Sequence, residues 1–256
     1  MPNQGTLRAG LLALVAHLML TGAATSAQAA PARTPAVFKD DIAQRTQACT
    51  ACHGSQGRAA ADGYYPRLAG KPAGYLYNQL LNFKAGRRHY GLMTQLVDPL
   101  SDAYLLEIAR YFSQIDAPYP AAQRSSASAD VLENGRALVL GGDSARQIPA
   151  CVQCHGQAMT GVLPATPGLL GLPRDYVNAQ LGAWRAGQRR GQAPDCMKAV
   201  VARLSDEDIN AASSWLAAQA VPADAHPVAE RPALLPGAVA VLCGTAPLPV
   251  ATKGQP

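Results

Sequence analysis

Apolar and polar residues alternate along parts of the chain with the period of an α-helix. In the stretch LSDAYLLEIARYF, apolar side chains recur at intervals of three and four and so share one helix face: Leu105, Ile108, Ala109 and Phe112. Ser101 precedes this face as an N-cap, with an acidic residue in the first turn. The stretch LSDEDINAASSWL has the same start at Ser205. We therefore predict one helix from Ser101 and another from Ser205.

Four further helices are predicted from the same pattern and from capping residues. Two of them cover 36–48 and 129–142. The other two run from Pro72 to Gly86 and from Pro173 to Gly187, because proline is tolerated at a helix start and glycine suits a C-terminal cap. Residues 222–256 are rich in Pro and Ala without a helical period, which predicts an extended tail. The predicted fold class is all-α.

The helical pattern belongs to an internal repeat. The segment YPRLAGKPAGYLYNQLLNFKAGRR returns as TPGLLGLPRDYVNAQLGAWRAGQRR at a shift of 101 residues, and the last helices match at a shift of 104. Such self-similarity indicates a tandem duplication. We predict a first domain over 36–116, a Pro/Ser-rich linker over 117–128 and a second domain over 129–221.

The first 29 residues have the layout of a secretory signal peptide. Arg8 precedes an apolar run, and small residues form a cleavage site that ends at Ala29. The alternative is an N-terminal membrane anchor, for which the apolar run is short. We therefore expect an exported protein. Its formal charge of +5 comes from dispersed basic residues, which does not favour a nucleic-acid partner.

Each repeat carries one C-x-x-C-H motif. The motif residues are Cys49, Cys52 and His53 in the first repeat, and Cys151, Cys154 and His155 in the second. This spacing is typical of covalent c-type haem attachment, in which the thiols add to two vinyl groups and the histidine binds the iron. A redox C-x-x-C needs a thioredoxin-like context, and a zinc site fits poorly with motifs so far apart. We predict two covalently bound haem c groups.

A second axial ligand for each iron is expected among the methionines. Met93 and Met197 lie at matching places, 40 and 42 residues after the motif histidines. Met159 follows its motif by only four residues and belongs to the same side of the ring as the histidine. His89 is an alternative ligand in the first repeat, and the Cys196 thiolate is one in the second. We predict Met93 and Met197.

These segments resemble the dihaem cytochrome c4 family over residues 36–220. The haem subunits of flavocytochrome c and of periplasmic dehydrogenases are similar. The resemblance implies two tandem class I cytochrome c domains, each wrapped around one haem, with His/Met ligation and periplasmic electron carriage. It also implies that the carbonyls of Pro66 and Pro167 accept a hydrogen bond from His53 and His155, which orients each imidazole.

A haem iron with protein ligands at both axial positions has no open position for a substrate. The predicted ligands therefore indicate an electron carrier and not an enzyme. Its expected partners are redox protein donors and acceptors, such as a periplasmic dehydrogenase or a terminal oxidase, with the carrier peripheral at the membrane surface. The alternatives are a cytochrome subunit of a periplasmic dehydrogenase complex and a haem enzyme of the thiosulfate dehydrogenase type.

Basic residues precede both methionines. They are Lys84, Arg87 and Arg88 in the first repeat, and Arg185, Arg189 and Arg190 in the second. They belong to solvated loops, or they steer an acidic partner, or they pair with haem propionates, for which Arg88 and Arg189 are the candidates.

Cys196 and Cys243 remain once the haem motifs are assigned, and they depart from the family pattern. In an oxidising compartment two such thiols pair. We predict a disulfide between them, with free or intermolecular thiols as the alternative. It would tie the tail to the loop that carries Met197.

Overall fold

Ten α-helices, one 3-10 turn at Ser55–Gly57 and one short hairpin are present in the computed structural model, which describes residues 40–60, 63–233 and 240–248. The first repeat contains α1 (Ile42–Arg45), α2 (Gln47–His53), α3 (Ala73–Lys84), α4 (Gly91–Val97) and α5 (Asp102–Ser113). The second contains α6 (Ala129–Gly141), α7 (Val152–His155), β1 (Gly161–Val162), β2 (Thr166–Pro167), α8 (Arg174–Arg185), α9 (Cys196–Val201) and α10 (Asp206–Ala217). The predicted all-α class is confirmed. The predicted signal peptide lies outside the described residues.

The long helices begin at the predicted caps. Ser101 accepts a hydrogen bond from the Tyr104 N–H at the start of α5. Ser205 and Asp208 form a reciprocal capping box at the start of α10, where each side chain accepts from the other residue's N–H. α3 and α8 follow Pro72 and Pro173. The two serine caps thus give a first-turn N–H of α5 and of α10 an acceptor, whereas α3 and α8 have no side-chain cap.

The predicted helix over 36–48 is wrong in its bounds. Its first four residues lie outside the described residues, and the rest divides into α1 and α2 at Thr46. The Thr46 hydroxyl donates to the Ile42 carbonyl over 2.8 Å, a back-bond that bends helices. α2 then continues through the haem motif to His53.

Each repeat has its own apolar core. In the second repeat α6 and α10 touch at Gly135, where a Cβ atom would lie 2.2 Å from the Ala211 carbonyl oxygen. In the first repeat α3 packs against α5 around Leu105 and Phe112.

The two repeats are joined by backbone hydrogen bonds. The His89 N–H donates to the Gln188 carbonyl over 2.8 Å, and the Arg190 N–H donates to the Arg87 carbonyl over 2.7 Å. The loops before α4 and α9 thus pair with each other, and the repeats meet face to face at this pairing.

The linker and the tail lie on the repeats without forming helices. Gln123 of the linker donates its N–H to the Ala217 carbonyl over 2.9 Å. In the tail, Val228 exchanges backbone hydrogen bonds with Gly161 and Leu163 over 3.0 and 2.9 Å. The tail is therefore extended, as predicted, over its described residues 222–233 and 240–248. Among the described helices, none has the length and apolar character needed to cross a membrane.

Candidate haem-binding sites

The first C-x-x-C-H motif lies within α2, and the second lies on α7 with Cys151 as its N-cap residue in helical conformation, so the two cysteines of each motif share one helix face. The motif histidines end these helices and are buried. Gly54 follows His53 with a φ of 76°, and a Cβ atom there would lie 2.3 Å from the Ala59 carbonyl oxygen. Gly156 follows His155 with a φ of 87°. Glycine thus lets the chain turn away sharply after each histidine.

The two motif histidines are held in the same way. His53 Nδ1 lies 2.8 Å from the Pro66 carbonyl oxygen, and His155 Nδ1 lies 2.7 Å from that of Pro167. A carbonyl only accepts, so Nδ1 carries the proton and Nε2 carries the lone pair. Burial lowers the pKa of both imidazoles and keeps them neutral, which is the form that binds a metal.

The motif thiols do not resemble those of a redox C-x-x-C. Burial raises the pKa of Cys151 to about 12 and also raises the pKa of Cys49, whereas reactive thiols have a lowered pKa. Within the part of the chain that the structure describes, no cluster of three or more His, Cys, Asp or Glu side chains is arranged to hold a metal ion.

One continuous cavity of about 860 Å³ extends between the repeats. Its wall includes three motif thiols, both motif histidines and both predicted methionine ligands: Cys49, His53, Met93, Cys151, Cys154, His155 and Met197. Cys52 is exposed and does not line the cavity. Met159 is 3% exposed and is absent from this wall. The structure thus brings the predicted residues of both sites to one apolar space.

Polar groups on the cavity wall fit the acidic edge of a haem. The Trp184 Nε1–H is buried without an acceptor among the described residues. The Lys71 ammonium is buried and donates to the Gly168 carbonyl over 2.9 Å, and its burial lowers its pKa to about 7. A donor and a cation beside an apolar space suit the propionate groups of a porphyrin. The residues present therefore fit the predicted cofactor.

Arg88 and Arg189 line the cavity, but their side chains also cross the contact between the repeats. Arg88 donates to Gln180 Oε1 over 2.7 Å. Arg189 donates to Gln79 Oε1 over 3.0 Å and to the Tyr75 hydroxyl over 3.3 Å. The two arginines thus form a symmetric network, and each contacts the opposite repeat.

The other basic residues of these loops have local partners. Lys84 donates to the Leu100 carbonyl over 2.7 Å, and Arg185 donates to that of Leu204 over 2.9 Å. Arg87 Nε donates to Asn82 Oδ1 over 2.7 Å. Lys84 and Arg185 therefore brace the start of the following helix in each repeat.

A disulfide joins Cys196 and Cys243, with their Cα atoms 4.8 Å apart. Cys196 is the first residue of α9 and Met197 is the second, so the bond ties the tail directly beside the predicted ligand. Met93 lies at a similar place on α4 in the first repeat.

Two residues of the site carried no signal in the sequence. Lys71 corresponds to Leu172 in the second repeat, so the repeat did not single it out. Asn78 of α3 corresponds to Ala179 and contacts the tail, which has no counterpart in the first repeat. In contrast, Gln79 recurs as Gln180, and that recurrence was a usable signal.

Comparison with known proteins identifies close relatives. The chain is 39% identical to a thiosulfate dehydrogenase electron acceptor from Thiomonas intermedia over 172 residues, which cover 67% of this chain and 78% of that protein. It is 35% identical to cytochrome c4 from Pseudomonas aeruginosa over 211 residues, which cover 80% of this chain and 96% of that protein. No family model matches the chain.

Two solved structures are similar to the fold. Reduced cytochrome c4 from Pseudomonas stutzeri matches with a TM-score of 0.59 and 34% identity, over 68% of this chain and 94% of that one. Thiosulfate dehydrogenase (TsdBA) from Marichromatium purpuratum matches with a TM-score of 0.61 and 32% identity, over 68% of this chain but only 36% of that one. This protein thus spans about a third of the dehydrogenase chain. On these relatives and on the two histidine sites that share one cavity, the chain belongs to the cytochrome c4 family of dihaem electron-transfer proteins, with two covalently bound haem c groups.

Proposed function

We propose that this dihaem cytochrome is an exported acceptor of electrons from a dehydrogenase that oxidises thiosulfate. The observation that carries the proposal is the 39% identity with a thiosulfate dehydrogenase electron acceptor. The two haem domains are residues 36–116 and 129–221, and residues 1–29 direct the chain to the periplasm. The onward acceptor is a redox protein such as a terminal oxidase, met at the membrane surface.

Eight residues of the chain form the two centres. We assign the covalent attachment to the four motif cysteines and the axial positions to His53 and Met93, and to His155 and Met197. A haem held by these residues would supply one-electron redox chemistry at its iron. The thioether of methionine favours the ferrous form relative to a second histidine, which raises the reduction potential.

The protein keeps each centre closed and dry. The Pro66 and Pro167 carbonyls fix the histidine tautomers, so Nε2 of each ring points its lone pair at one position only. The cavity wall is largely apolar, which excludes water and limits reorganisation around the iron. Protein ligands on both faces leave no position for thiosulfate. Such an arrangement exchanges electrons and does not turn over a substrate.

A second candidate is a cytochrome subunit that stays docked on the dehydrogenase. The match to about a third of the M. purpuratum thiosulfate dehydrogenase chain supports it, since that chain contains a segment similar to this protein. Stable co-purification with the dehydrogenase would favour this candidate over a diffusing carrier.

Stopped-flow absorbance with thiosulfate dehydrogenase from T. intermedia tests the proposal. The oxidised cytochrome is mixed with the enzyme and thiosulfate, and both haems are expected to become reduced. Cytochrome with thiosulfate alone should stay oxidised. Reduction without the enzyme would show that the chain is itself the haem enzyme. Failure to accept electrons from the enzyme, in a protein that small mediators reduce readily, would exclude this donor.

A further inference from the structure

The C-terminal strap, defined here as residues 240–248, is fixed to the second repeat beside α9. The Cys196–Cys243 disulfide makes the covalent connection. The Gly244 N–H donates to the Pro194 carbonyl over 2.8 Å. A Cβ atom on Gly244 would lie 2.3 Å from the Ala193 carbonyl oxygen, so only glycine allows this close approach. The strap therefore fits tightly against the loop that leads into α9.

The same strap is fixed to the first repeat two residues later. The Asn78 side chain of α3 donates to the Thr245 hydroxyl over 2.6 Å and accepts from the Ala246 N–H over 2.8 Å. Asn78 is 8% exposed, and Ala246 packs against the apolar core of the first repeat. A buried amide whose donor and acceptor are both used is costly to leave unpaired. The strap thus bridges the two repeats.

The strap also forms part of the cavity wall. Val241, Cys243 and Gly244 line the cavity together with Met197. α9 has only six residues, and a helix of this length has little stability of its own. Its position therefore depends on what it is attached to.

Among the described residues, no disulfide or tail segment is attached in this way to α4 of the first repeat. Leu92 corresponds to Cys196 at the shift of 104 residues and directly precedes Met93. Its side chain is 63% exposed, and that of Leu96 is 42% exposed. The two methionine helices are therefore equivalent in sequence position and different in how they are held.

We propose that Cys196, Cys243 and Asn78 are positioning residues for the second haem. They hold Met197 by anchoring α9 to helix α3 of the other repeat, so that the sixth ligand of the second centre depends on the first repeat. Met93 has no corresponding dependence. The proposal rests on the assignment of Met93 and Met197 as axial ligands.

Proton NMR of the ferrous protein provides the test. A methionine bound to haem iron gives a methyl signal that the porphyrin ring current shifts far upfield, and M93A and M197A assign the two signals. In N78A and in C196S/C243S the Met197 signal is expected to broaden or disappear, while the Met93 signal stays. Imidazole should bind one ferric haem of these variants at least about tenfold more tightly than in the wild type, which corresponds to about 1.4 kcal/mol.

Two further variants separate positioning from general damage. N78D keeps an acceptor for the Ala246 N–H and accepts from the Thr245 hydroxyl, so it should restore the Met197 signal. L92S changes the position equivalent to Cys196 and should leave both signals unchanged. Wild-type signals and imidazole affinity in N78A and in C196S/C243S would overturn the proposal, as would equal effects on both methionines. If M197A removes no signal from the wild-type spectrum, the ligand assignment fails, and the positioning role fails with it.

Discussion

The Asp208 side chain has two roles: it completes the capping box of α10 and it binds a distant arginine. The Ser205 cap was predicted, but Asp208 also accepts two hydrogen bonds from Arg146, over 2.6 and 3.2 Å, although Arg146 is 62 positions away in the chain. The Arg146 guanidinium lowers the pKa of the Asp208 carboxyl below 3.8. Sequence spacing identifies a cap because its partners are three residues apart. It does not identify a partner that only the fold brings close.

The D208N variant tests this residue. We expect the free energy of unfolding at pH 7 to fall by about 1–2 kcal/mol, from the weakened cap and the lost ion pair. Because the folded pKa is depressed, the unfolded chain binds the proton first as the pH falls. The wild-type contribution is therefore complete above the ordinary pKa and disappears as the pH falls through the folded one.

Urea unfolding at several pH values measures the difference between D208N and the wild type. D206N is a matched control, because Asp206 is on the same turn but its side chain is 87% exposed. It should change the unfolding free energy by less than about 0.5 kcal/mol. A difference for D208N that stays constant down to acid pH would contradict the assignment.

Where helices α6 and α10 cross, there is no space for a side chain at Gly135. A Cβ atom there would lie 2.2 Å from the Ala211 carbonyl oxygen and 2.9 Å from Trp215 Cβ. G135A should separate the helices and lower the free energy of unfolding by about 1–3 kcal/mol. Gly141 of the same helix has no atom within 4 Å of its Cβ position, so G141A should be neutral or stabilising by up to about 1 kcal/mol. Thermal unfolding followed by circular dichroism compares the two, and equal stabilities would show that α6 can shift.

The accuracy of the predicted elements follows from how strongly each one is determined locally. α3, α5, α8 and α10 have caps and several turns of apolar period, and they were predicted. α4 and α9 have seven and six residues, too few to show a period, and they were missed. The assignment of the site residues uses the same kind of signal, because C-x-x-C-H is local and the methionines recur, and the axial methionines stay a prediction. Lys71 contacts the second repeat and Asn78 contacts the tail. Neither contact is local or recurrent, so no sequence pattern identified these residues.

For the molecule as a whole, the arginine network is the main polar contact between the repeats. Arg189 is 4% exposed, stacks on Trp184 at 3.8 Å and donates to groups of both repeats. R189M should leave acceptors of Gln79 and Tyr75 without this donor and lower the free energy of unfolding by about 1–3 kcal/mol. R190M is the control, since the Arg190 side chain is exposed and only its backbone N–H joins the repeats. Guanidinium unfolding measures both variants. If R189M and R190M lower the free energy of unfolding equally, the Arg189 side chain does not stabilise the contact between the repeats, and the backbone hydrogen bonds alone form it.

The continuous cavity is lined by residues of both repeats, so each repeat supplies part of the surroundings of both cofactor sites. A chain that received haem at only one motif would keep an unfilled apolar space along the contact between its halves. This unfilled space would lower the stability of both repeats, because each repeat supplies part of the cavity wall. We therefore expect a chain loaded at one motif to be less stable than the fully loaded chain and to be cleaved faster by proteases.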